Sequence, residues 1–216
     1  MNYDIGIYYI EDIPAHVISD FVQELREANV TVNVESRPNE PFMAFEWAIP
    51  AAIIAYLAKP YIDGLLKEAA KDHYAIVKEK LSKFAQRMSK VKQITIVSSQ
   101  SPNKLHKDNP VSNSFSIWSQ TIDGRPLKFL FFGDRDDDYY ERCVDEVFNV
   151  LLNHAKEFPN DYISNQADRL PRKSREIYLL FDESAKTWKP VDIATGVLAG
   201  GSDGPSVNLL KRLPTL

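Results

Sequence analysis

Cysteine occurs once in the 216 residues, at Cys143, which excludes an internal disulfide and any cysteine-built zinc site. A lone thiol suits a reducing compartment, and the first residues, MNYDIGIYYIEDIP, carry no basic leader ahead of an apolar stretch. Both features predict a cytoplasmic protein. Charge of one sign is also in short supply: 26 Lys and Arg stand against 30 Asp and Glu, for a net charge of −4. That balance argues against a surface that grips nucleic acid over its whole extent. Glycine is scarce, and four of the eight, Gly196, Gly200, Gly201 and Gly204, fall in the last 22 residues. Residues 195–216 are therefore expected to form an irregular, flexible tail behind a single domain spanning 1–194. No uncharged hydrophobic run is long enough to span a bilayer. The longest in the apolar region, Trp47–Ala58, has twelve residues where about 20 are needed.

Motifs of catalysis are missing as well. There is no G-x-S-x-G, no H-E-x-x-H, and the glycine-rich GVLAGGSDG lacks the Lys-Ser/Thr of a phosphate loop. His16, His73, His106 and His154 are scattered, and no two have ligand spacing.

What is present is a clear alternation of element types. Tyr3–Ile10 reads as a buried strand, and Val17, Ile18, Phe21, Val22 and Leu25 mark one face of a helix. Val30, Val32 and Val34 alternate with Thr31, Asn33 and Glu35 as in a half-buried strand, which completes an N-terminal β-α-β unit. The segment Ala44–Leu66 then places seventeen apolar residues among twenty-three. It predicts an apolar helix, kinked at Pro60, where the ring removes a backbone donor and crowds the carbonyl one turn back. Ala70, Tyr74, Val77, Leu81, Phe84, Met88 and Val91 step by alternating fours and threes, the seam of a long amphipathic helix.

Three strands follow, at Gln93–Ser98, Ser114–Thr121 and Leu127–Phe132, the last two joined by a turn at Ile122-Asp123-Gly124-Arg125. A helix from Asp137 to Glu157 buries Val144, Val147, Phe148, Leu151, Leu152 and Ala155, and Glu176–Phe181 with Thr187–Val191 forms a closing hairpin. The order of elements predicts an α+β fold: a mixed sheet packed against the kinked apolar helix and the long amphipathic helix.

Three functional readings follow from these features. The first is a non-enzymatic assembly protein that self-associates or meets a protein partner through Trp47, Ile53, Ile54, Tyr56, Leu57, Tyr61, Val77, Leu81, Phe84 and Met88. The second is a latent membrane-active effector, whose segment 44–66 meets lipid when released. Trp47, Tyr56 and Tyr61 suit an interface, and Lys67–Lys92 carries eight Lys and Arg against three Asp and Glu. The third is a metal-dependent enzyme. Asp134, Asp136 and Asp138 have the spacing of a calcium or magnesium loop, with Asp145 at its twelfth position, but Tyr139 sits where that loop needs glycine. Carboxylates at a helix start also serve simply as caps. Arg169, Arg172, Lys173 and Arg175 form a basic patch that reads as a solvated loop or a contact for phosphate or an acidic partner.

Overall fold

The computed structural model describes residues 3–38, 51–66, 71–89, 111–170, 176–192 and 197–198. It is an α+β fold built on one mixed sheet of eight strands. Strand β1 (Ile5–Ile10) leads through helix α1 (Ala15–Glu27) to β2 (Val32–Arg37), which pairs parallel to it. Strand β3 (Ile53–Leu57) runs antiparallel to β1 on its other side. Helices α2 (Lys59–Leu65) and α3 (Lys71–Ser89) then precede β4 (Val111–Gln120), parallel to β3. Strand β5 (Pro126–Phe132) turns back antiparallel to β4, and α4 (Asp137–Glu157) with α5 (Tyr162–Ala167) leads to β6 (Ile177–Asp182), parallel to β5. Strands β7 (Thr187–Asp192) and β8 (Val197–Leu198) complete the order β2-β1-β3-β4-β5-β6-β7-β8.

The largest departure from the sequence reading concerns the apolar segment. Residues 53–57 are not helical; they form a central strand between β1 and β4, with Ile53, Ile54, Ala55 and Leu57 all buried. A strand covered on both faces shows a continuous apolar run instead of alternation, and so imitates a buried helix in sequence. Pro60 does not kink anything. It lies in the first turn of α2, where its missing N–H has no partner to lose. Strand Gln93–Ser98, together with Trp47, Ala70 and Val91, lies outside the described residues. The start of the expected tail is tied down, since Val197 and Leu198 pair with Asp192 and Val191.

Side chains of the sheet and the helices share a single core. An aromatic chain crosses it. Phe21 of α1 stacks on Phe84 of α3 at 4.0 Å between centroids; Phe84 meets Phe115 of β4, Phe115 meets Phe131 of β5, and Phe131 meets Trp188 of β7. Each large side chain taken fully out of water contributes about 1.5–3 kcal/mol, so this line of rings is a main source of cohesion. It also fixes the layering. Helix α3 contacts both α1 and α4 over the face that carries Phe115, Phe131 and Trp188.

That layering has a topological consequence. β1 and β5 point the same way along the sheet, yet β2 lies to one side of β1 and β6 to the opposite side of β5. With α1 and α4 on one face, the β5-α4-β6 crossover has the opposite hand to β1-α1-β2. One of the two therefore has the uncommon left-handed sense.

Candidate functional site

The residues expected to form an apolar interface fill the molecule's own core. Ile53, Leu57, Val77, Leu81 and Phe84 have no exposed surface, and Ile54, Tyr61 and Met88 are buried as well. Only Tyr56 in this set is half-buried, and Trp47 lies outside the described residues. The heptad spacing is genuine, but its seam is satisfied within the chain, where α3 packs against α1, α4 and β4. Among the described residues no helix is long and apolar enough to cross a membrane.

The acidic turn is a helix start. Asp136 is the N-cap of α4, its Oδ1 accepting from Tyr139 N–H at 2.7 Å, and Asp137 and Asp138 occupy the first turn, where negative charge complements the dipole. Asp134, Asp136 and Asp138 are all exposed. Among the described residues no group of three His, Cys, Asp or Glu side chains is placed to hold a metal ion. Of the basic patch, Arg169 is exposed, while Arg172, Lys173 and Arg175 lie outside the described residues.

Burial pushes the Cys143 thiol well above its usual range, against the lowering effects of the Tyr139 hydrogen bond and the Arg142 charge. A thiol held in that form is a poor nucleophile.

The structure instead assembles two polar groups that sequence reading did not single out. Lys128 of β5 is 1% exposed, on the sheet face opposite Phe131. Its Nζ lies 2.7 Å from Glu176 Oε2 and 4.2 Å and 5.0 Å from the ring centres of Trp118 and Tyr178, its cross-strand neighbours on β4 and β6. Tyr178 in turn hydrogen-bonds Glu176. The charge is thus matched by a carboxylate and two ring faces, which is how a buried ammonium becomes tolerable. The signal in sequence was a single lysine within the otherwise apolar Leu127–Phe132.

The second group joins three elements. His154, near the end of α4, accepts the Ile122 backbone N–H at Nε2, 3.0 Å away. The ring's own proton therefore sits on Nδ1, which faces Asp161 Oδ2 at 3.1 Å but off the ideal hydrogen-bond line, so the contact is chiefly electrostatic. Asp161 caps α5 through Ser164 N–H and also accepts from Ser164 Oγ at 2.6 Å. Burial acts to raise its pKa; the two Ser164 bonds and the His154 ring outweigh that and hold the carboxyl below its ordinary range. In both groups the buried charge faces a partner within the protein, Lys128 with Glu176 and Asp161 with His154 and Ser164.

The open feature is an edge. Among the described residues strand β2 ends the sheet, and Asn33, Val34, Glu35 and Ser36 are exposed. Thr31 C=O accepts from Ile5 N–H and Arg37 C=O from Glu11 N–H, so odd-numbered residues turn their backbone toward β1. By the two-residue period of a strand, Val32, Val34 and Ser36 turn theirs outward. Within the strand itself several guards of an edge are absent: Val32–Arg37 has no lysine, no proline and no bulge, and its register with β1 is unbroken over six pairs. Glu35 and Arg37 pair with each other at 3.4 Å on one face, and Arg37 lies over the Tyr8 ring, so their charges are spent on the sheet face and not on the edge.

Comparison of the chain with protein-family models, with curated proteins and with solved structures finds no match.

Proposed function

We propose that this is a non-enzymatic interaction protein of the reducing cytoplasm, whose working surface is the open sheet edge along β2. The observation that carries the reading is the unguarded, exposed strand with outward backbone groups at Val32, Val34 and Ser36. Such an edge is a template for one more strand: main-chain hydrogen bonds supply affinity, and the alternating Val32 and Val34 side chains supply an apolar strip on one face. The single, buried thiol supports the compartment. The interior residues once expected to carry association are left to hold the fold.

The reading is tested by Val34→Pro. Proline on an edge strand is tolerated where its missing N–H would have faced solvent, so the β1–β2 ladder survives and only the outward donor goes. Self-association by sedimentation and the binding of a panel of fluorescent extended peptides are measured for both proteins. The proline variant is expected to keep the parent's melting temperature within a few degrees and to lose at least tenfold in association. Equal association by both proteins would remove the edge from consideration.

A further inference from the structure

Resting on that reading, we infer that the strand taken up along β2 is the β2 strand of a second copy of this chain, antiparallel, with the two-fold axis through Val34. A two-fold relation perpendicular to the sheet places the helical layers of both copies on the same side and joins the sheets into one of sixteen strands. It also restricts the register, because each residue i must face a partner j with a constant sum of numbers, and outward-facing residues must face outward-facing ones.

Four such registers engage at least three residues of the strand, and their extent and side-chain chemistry separate them. An axis through Glu35 sets the two Glu35 carboxylates against each other, and like charges directly opposite destabilise a pair. An axis through Asn33 engages only Val32–Val34, and an axis through Ser36 only Glu35–Arg37, so each leaves half of the strand's six residues uncovered. An axis through Val34 uses Val32–Ser36. Val34 then exchanges both backbone bonds with its symmetry mate, Val32 does so with Ser36 of the second copy, and each Asn33 amide faces a Glu35 carboxylate. The two Val34 side chains meet beside the axis, covering a residue that is 37% exposed in the lone protomer. Five residues of edge bury less than the area of a tenacious complex, so the dimer is weak and depends on concentration.

The closing experiment uses the full chain with Asn33→Cys in one preparation and Glu35→Cys in another. These two positions form a non-hydrogen-bonded pair, with Cα atoms about 4.5 Å apart, within the span of a disulfide. The native Cys143 is buried and stays silent. On mild oxidation the mixture is expected to yield at least tenfold more cross-linked dimer than either preparation alone, and unmodified protein is expected to sediment faster as its concentration rises. Adding Val34→Pro to both should abolish the product. Predominant Glu35–Glu35 or Asn33–Asn33 cross-links would overturn the register. A strict monomer in the unmodified protein would overturn the second copy. If peptides still bind in a Val34→Pro-sensitive manner, the edge reading survives that result; if they do not, both ideas fall together.

Discussion

At the scale of single residues, the polar group around Asp161 is one of the places where the fold responds to acid. Its carboxyl is held below the ordinary range, so the folded state releases this proton more readily than the unfolded chain. A depressed pKa gives stability that is fully present above the unfolded value, about 3.9, and is lost as pH falls through the folded value. Asp161→Asn isolates that charge, because asparagine still caps a helix. The variant is expected to be less stable than the parent by about 1–3 kcal/mol at neutral pH, in line with charged hydrogen bonds. Urea midpoints taken at pH 7, 4 and 3 should show the gap narrowing below about pH 4. A gap that stays constant with pH would mean that the charge is not what stabilises α5. None of this was legible beforehand. His154 reads in sequence as one scattered histidine, and its meeting with Ile122 and Asp161 depends on how α4, a turn and α5 come together.

Among the elements, those with a local signature were the readable ones. The Asp123-Gly124 turn appears where its dipeptide placed it, with Gly124 at φ 88°, a conformation that glycine adopts without strain. Helix α4 spans Asp137–Glu157 because an N-cap aspartate precedes a clean apolar stripe. The closing hairpin, β6 and β7, lies where two short apolar, β-rich runs flank the polar turn at Asp182–Lys186. β3 escaped because periodicity separates half-buried strands from helices and says nothing about strands buried on both sides. The β2 edge was half-legible: the alternation of Val32 and Val34 announced a strand, but only the sheet order shows that nothing described lies beyond it.

The reassignment of Pro60 has its own check. In a helix interior, proline costs about 3 kcal/mol, so its removal would stabilise strongly. In the first turn of α2, Pro60→Ala is expected to shift stability by under about 1 kcal/mol, chiefly through the freedom of the unfolded chain. A gain of several kcal/mol in thermal or urea unfolding would restore the kinked helix.

Taken whole, the molecule presents a sheet with α1, α3 and α4 on the face that carries Phe115, Phe131 and Trp188, and Cys143 lies buried on α4, its carbonyl accepting from Trp188 Nε1 at 3.1 Å. That placement turns the only thiol into a reporter of global opening. Reaction with an aromatic disulfide is expected to be slow in native buffer and to quicken in proportion to the unfolded fraction as urea is added. Fast labelling without urea, in protein that remains folded by circular dichroism, would show that α4 lifts from the sheet independently. The general class of the fold could be read from the succession of elements. The opposed hands of the two crossovers could not, since a connection's handedness belongs to the arrangement of three elements and leaves no mark on any one of them.

The linear succession of strands also makes the sheet a ruler. Neighbouring strands lie about 4.8 Å apart, so six intervals separate β2 from β7 by about 29 Å. Dyes attached to those two strands would sit within energy-transfer range in the native molecule and drift far apart once the chain expands. Any shortening of that spacing in a dimer would have to arise between copies, so the same pair of labels, placed on separate molecules, measures how two sheets meet.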